Sequence, residues 1–221
     1  TRVGDNKDVA SALSDRSADV VAGTQWLLAR EELDATVDVL FVDEASQMSL
    51  ANAVALGTCA SSIVLIGDQN QLPMVTQGVH PGLAAASSLE YLVGEASTVA
   101  ADRGLFLETS RRLHPDVNAF ISPAFYAGRL TTHPDTARRT VLGDHPVLSG
   151  TGVRWMPVEH RGNGPRSTEE AEVVAGVVAE LTAMSWQGTD EQPRPIRVED
   201  VIVVAPYNAQ VAEIQAAIER R

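Results

Sequence analysis

A parallel α/β architecture is the fold class this sequence predicts, and three observations carry that reading. Short, strongly apolar runs recur at Val37–Val42, Ser62–Ile66 and Val201–Ala205, the composition of strands buried on both faces. Segments with helical spacing separate them, and strands alternating with helices of this size imply βαβ units. Each run also stops abruptly at polar or turn-forming groups: Asp43-Glu44, Asp68, Pro206-Tyr207. In open α/β sheets, ligands bind in the crevice outside the carboxyl ends of the strands.

At 221 residues the chain suits one large domain or two modest ones. The mixed stretch 94–104 of Gly, Ala, Ser and charge is the expected link, giving two lobes, 1–100 and 101–221. Every apolar run is strand-length, so neither a transmembrane helix nor a membrane partner is expected. The start, Thr1-Arg2-Val3-Gly4-Asp5, has no initiator Met and no signal-peptide pattern, and reads as a cut inside a longer protein. The single cysteine, Cys59, excludes an internal disulfide and a cysteine metal cluster, which fits a reducing cytoplasm. The pattern gives no oligomeric state.

A net charge of -12 argues against a surface coated for non-specific nucleic-acid binding. The charge is unevenly spread. Residues 1–100 carry 4 Lys/Arg against 13 Asp/Glu, whereas residues 103–166 carry 9 Arg against 5 acids. An acidic whole can therefore contain a small basic groove.

Taken in order, Asp8 to Asp15 predicts a short helix, and Ala18 to Thr24 a strand ending at a small polar turn. The strand Val37–Val42 is followed by a helix from Ser49 to Cys59, then a second strand from Ser62 to Asp68. Pro73 forces Leu72 out of the helical region, which places Gln71 on an extended loop. Leu83 to Leu92 predicts a helix. The second lobe opens with a strand, Leu105 to Thr109, and a helix starting at Pro115 and running to about Tyr126. Residues 127–150 read as loop, and Val153–Val158 as a strand. Ser167-Thr168-Glu169-Glu170 is a capping box for a long helix to Trp186. The strand from Asp200 to Tyr207 then leads to a helix opening at Asn208 or Ala209.

Two readings stand for Asp43-Glu44. One is an acidic turn that keeps a sheet edge soluble. The other is a carboxylate site that holds hydrated Mg²⁺ and orients a water, as nucleotide hydrolysis requires. The remaining strand ends favour the second: Asp68 with Gln71, and Arg111-Arg112, complete a polar crown that no core needs. A metal-bound triphosphate asks for a carboxylate for the metal, a base for the water, an amide at the γ-phosphate and an arginine for transition-state charge. Guanidinium matches phosphate geometry as a lysine does not. His114 is read as a capping residue. His133, His145 and His160 are read as loop residues, Cys59 as core, and Trp26, Trp155 and Trp186 as core or lobe interface.

These motifs resemble those of a known family. Asp43-Glu44-Ala45-Ser46-Gln47 resembles motif II, the Walker B variant, of superfamily 1 helicases, and Gly67-Asp68-Gln69-Asn70-Gln71-Leu72-Pro73 resembles their motif III. Leu107 to Pro115 is similar to motif IV, Phe125 to Leu130 to the Phe-Tyr-x-Gly-x-Leu that follows, and Ala205 to Gln210 to the Thr-Pro-Tyr-x-x-Gln element. Ala18 to Arg30 resembles the strand with Gly-Thr that contacts nucleic acid. The best-matching branch is the 5′-to-3′ group that includes the nonsense-mediated-decay helicase and its DNA-processing relatives. The resemblance covers roughly residues 18–218 in the correct order.

That resemblance implies two RecA-like lobes with parallel sheets flanked by helices, the first incomplete. It implies an ATP-dependent helicase or translocase acting on single-stranded DNA or RNA, with ATP and Mg²⁺ as cofactors. Asp43 would hold Mg²⁺ through water, Glu44 would be the general base, and Gln71, with Asp68 beside it, would sense the γ-phosphate. Arg112 would reach the γ-phosphate from the second lobe, and Gly23, Thr24, Pro206 and Tyr207 would lie near the nucleic-acid track. Closure on nucleotide would then shift the bound strand.

The sequence departs from the pattern at three places. Arg111 stands where the family has an aromatic that stacks on adenine, and a guanidinium can also stack on a base. Met74 replaces a proline. No Gly-x-x-x-x-Gly-Lys-Ser/Thr occurs, and the single lysine, Lys7, lies in no phosphate cradle. The expectation is an internal piece that lacks the P-loop and closing motifs of its parent and hydrolyses ATP negligibly alone. Two rivals remain: a non-catalytic RecA-like interaction module, and a nucleotide-switch ATPase that moves no nucleic acid. The upstream coding sequence separates the first, and stimulation by single strands the second.

Overall fold

The computed structural model describes residues 6–72, 74, 75, 78, 80–189 and 192–221. Pro73, the expected cause of an extended Gln71, lies outside the described residues. The fold is α/β, with parallel sheets and flanking helices, and the chain divides into two compact units, Thr1–Phe106 and Leu107–Arg221.

Unit one runs α1 (Asn6–Ser14), α2 (Gln25–Leu28), β1 (Val37–Val42), α3 (Leu50–Gly57), β2 (Ala60–Leu65) and α4 (Ser88–Val93). Strands β1 and β2 pair in parallel, from Val37 opposite Ala60 to Val42 opposite Leu65, with α3 as the crossover. Side chains alternate faces along a strand, so Leu40 and Val42 are buried while Phe41 is 65% exposed. The expectation of burial on both faces therefore fails for β1: its core, with Val9, Leu27, Leu33 and Leu56, lies on one side. Serines fix the helix starts. Ser49 Oγ accepts the Asn52 N–H at 3.1 Å, and Ser87 with Glu90 forms a complete capping box on α4. Residues 18–24 form no strand; Thr24 is instead the N-cap of α2.

Unit two runs β3 (Thr109–Ser110), α5 (Pro115–Phe125), β4 (Thr131–Thr132), β5 (Thr140–Leu142), α6 (Thr168–Thr182), β6 (Ser185–Gln187), β7 (Arg194–Pro195) and α7 (Asn208–Glu219). Strands β3 and β4 pair in parallel around α5. Strands β5, β6 and β7 form an antiparallel sheet that the sequence pattern did not show. Trp186, expected at a helix end, pairs with Val141 in that sheet. Helices α6 and α7 pack through Ala171, Ala175, Ile214 and Ala217, and the three alanines allow a close approach.

The apolar runs 153–158 and 201–205 carry no ladder among the described residues, and Ile202 and Val204 are 86% and 87% exposed. Trp26 and Trp155, expected in a core or interface, are exposed in their units. The capping box at Ser167 is half-formed: Ser167 Oγ accepts the Glu170 N–H at 3.2 Å, but the Ser167 N–H goes to Gln210. No helix among the described residues is long and apolar enough to cross a membrane.

Candidate functional site

Parallel pairing of β1 and β2 sends both strands out at the same end, and the two predicted motifs meet there. After Val42 the chain turns sharply. Asp43 Oδ1 accepts the Glu44 N–H at 3.0 Å, and Glu44 takes a left-handed conformation with φ 53°. For a side chain with a Cβ that backbone is strained. The turn is locked to the next strand, because Ile66 N–H donates to the Val42 carbonyl at 2.8 Å and Ala45 N–H to the Ile66 carbonyl at 2.9 Å. From the other side, Ser88 Oγ donates to the Ala45 carbonyl at 3.0 Å.

Gly67 is required by proximity: a Cβ there would stand 3.0 Å from Ala45 N and 3.2 Å from Ser46 N. Asp68 follows and organises its own loop. Its carboxylate accepts the Asn70 N–H and the Gln71 Nε2 amide, each at 3.0 Å, and its carbonyl accepts the Gln71 N–H at 3.2 Å. Gln71 thus sits in a turn closed by Asp68, not on an extended loop, because these short-range bonds fold the chain back. The sequence reading gave Gln69 and Asn70 no role. Their amides hold the loop to the carbonyls of Ala96 and Ser97.

Asp43, Glu44, Asp68 and Gln71 are therefore assembled at one sheet end. The first two carboxylates are exposed and have no cationic partner among the described residues. The Ser46 hydroxyl behind them is buried without a hydrogen-bond partner. This donor set fits a hydrated divalent cation. Mg²⁺ keeps several waters and takes one or two carboxylates plus phosphate oxygens, so it does not need the cage of three ligating side chains that the described residues lack.

Gly23 and Thr24 lie at the start of α2, where Gly23 packs so tightly on Leu27 that a Cβ would overlap it. Asn52 Nδ2 donates to Gln25 Oε1 at 2.9 Å and ties this turn to α3. The Thr24 hydroxyl makes no cap bond.

In unit two, Arg111 and Arg112 lie in the turn between β3 and α5. Both side chains are exposed and without a partner among the described residues. Ser110 Oγ accepts the N–H groups of Arg112 and Leu113 at 3.3 and 3.0 Å, and Arg139 Nη1 donates to the Arg112 carbonyl at 3.0 Å. His114 caps α5, its Nδ1 accepting the Asp116 N–H at 3.1 Å. Pro206 and exposed Tyr207 lead into α7, with Tyr207 as its N-cap.

Residues 85–221, more than half of the chain, match a family described as an AAA domain, and residues 5–77 match a second AAA-domain family. The chain belongs to the AAA-domain family. Its curated relatives place it with the superfamily 1 helicases. It is 29% identical to the rat DNA-binding protein SMUBP-2 over 83% of this chain and 19% of that protein. It is 28% identical to the Schizosaccharomyces pombe helicase sen1 over 92% of this chain and 12% of sen1. It is 24% identical to the mouse 3'-5' exoribonuclease HELZ2 over 82% of this chain and 6% of that protein. The AAA-domain chain thus spans a fifth or less of these relatives. Nucleotide and divalent-metal use is general in this family.

Proposed function

We propose that this AAA-domain chain is part of an NTP-driven translocase on single-stranded nucleic acid. The observation that carries the reading is the meeting of Asp43, Glu44, Asp68 and Gln71 at the carboxyl ends of two adjacent parallel strands. Asp43 would hold Mg²⁺, which when bound would supply charge neutralisation on the phosphates. Glu44 takes the proton of the attacking water. Gln71, held by Asp68, reads the γ-phosphate. Arg112 is a phosphate-directed cation, and Arg111 is its base-stacking neighbour. Gly23, Thr24, Pro206 and Tyr207 contact the nucleic-acid strand. Contacts of backbone and stacking type make that binding sequence-tolerant and salt-sensitive.

Relatives named as helicases and as a DNA-binding protein support this reading. The 221 residues contain no P-loop, so on their own they hydrolyse ATP negligibly. The test is phosphate release by the intact protein with and without single-stranded DNA or RNA. Strand-stimulated release that Glu44→Gln abolishes is expected. Turnover unchanged in that variant would remove Glu44 as the base, and absence of stimulation would favour a nucleotide switch.

A further inference from the structure

We infer that Arg139 is a positioning residue for Arg112, an inference that rests on the reading of Arg112 as a phosphate-directed cation. The Arg112 peptide is gripped on both sides. Its N–H donates to Ser110 Oγ at 3.3 Å, and its carbonyl accepts Arg139 Nη1 at 3.0 Å. Arg139 is itself braced. It follows the 3-10 turn Pro134–Arg138, which His133 caps, and precedes β5, which is paired in a sheet. Its Nε donates to Thr189 Oγ1 at 3.4 Å, just beyond β6. A second tie joins the same two segments, His114 Nε2 to the Ala137 carbonyl at 3.4 Å.

The choice of residue carries the argument. A purely structural tie to a carbonyl needs only a neutral donor. Here a half-buried guanidinium spends its charge on the backbone of another arginine whose own guanidinium is exposed and unpartnered among the described residues. Two like charges held on adjoining segments repel, and the arrangement becomes favourable when a polyanion arrives. Fixing the main chain also fixes where the Arg112 side chain starts. An error of about 1 Å at a reacting group can cost about a hundredfold in rate.

The test compares Arg139→Ala, Arg112→Ala and the double variant in the intact protein, reading ATPγS and ADP affinity beside steady-state kcat and KM. Arg139→Ala is expected to weaken ATPγS binding and lower kcat by about tenfold each, leaving ADP binding unchanged. In the Arg112→Ala background the same change should cost nothing further. Arg139→Gln, which keeps a donor without the charge, should recover part of the loss, and it replaces the alanine variant should that one not fold. An equal loss in both backgrounds, or unchanged ATPγS affinity in the folded Arg139 variants, overturns this inference alone. Wild-type behaviour of Arg112→Ala overturns the reading of Arg112 itself, and this inference with it.

Discussion

Gln210 holds Ser167 by both sides of its backbone: the Ser167 N–H donates to Gln210 Oε1 at 2.6 Å, and Gln210 Nε2 donates to the Ser167 carbonyl at 3.0 Å. The two residues are 43 positions apart, and both are buried. The clamp joins the start of α6 to the first turn of α7, the helix that Pro206 and Tyr207 lead into. Gln210→Ala orphans the buried Ser167 N–H, whereas the Ser167 carbonyl keeps the Ala171 N–H at 3.2 Å. A loss of about 1–3 kcal/mol in urea unfolding is expected. A loss below about 0.5 kcal/mol would mean that water replaces the amide without penalty.

Gly67→Ala places a methyl against the backbone nitrogens of Ala45 and Ser46. Backbone cannot swing aside as a side-chain tip does, so overpacking should cost about 1–3 kcal/mol. Chemical denaturation checks the stability. Because the displaced atoms follow Glu44 directly, turnover of the intact protein should fall as well.

Glu44 pairs a catalytic expectation with a conformational one. Glu44→Gln keeps size and polarity but loses the base. Turnover should drop by about a hundredfold or more with nucleotide affinity kept, as single-turnover and binding measurements would show. Glu44→Gly and Glu44→Ala both remove the carboxylate, yet only glycine accepts φ 53° freely. The glycine variant should be more stable than the alanine variant by about 1 kcal/mol.

Asp200 gives a pH prediction. The Arg194 guanidinium, bonded to both carboxylate oxygens at 2.6 and 2.8 Å, and the Arg197 N–H hold its carboxyl well below the ordinary value of 3.8. A depressed carboxylate stabilises fully above that ordinary value and loses its contribution as pH falls toward its own lowered one. Arg194→Gln should therefore be less stable than wild type by a constant margin from pH 5 to 8, and the margin should shrink below about pH 4. Carbon-detected NMR titration of Asp200 should show its midpoint return toward 3.8 in that variant.

How far the sequence could be read depended on whether the information was local. The β1 and β2 runs and Pro115 at the first turn of α5 follow from neighbouring residues, and the structure has them. Asp43, Glu44, Asp68 and Gln71 were legible as strand-end groups, and parallel pairing gathers them. Residues 18–24, 153–158 and 201–205 have strand composition without a ladder, because propensity specifies a willing strand and not its partner. The β5–β6–β7 sheet was hidden for the opposite reason, since its strands are too short to show a period. Neither Gln210 nor Arg139 signalled its role, as each acts on a distant backbone group that any residue type carries.

The missing side chain at Gly67 also has a consequence for motion. With no room for even a methyl between it and the peptides after Glu44, the loop carrying Gln71 and the turn carrying Asp43 are packed backbone against backbone. A displacement imposed at one is handed to the other as a push between hard surfaces, much as a gear tooth without backlash transmits rotation.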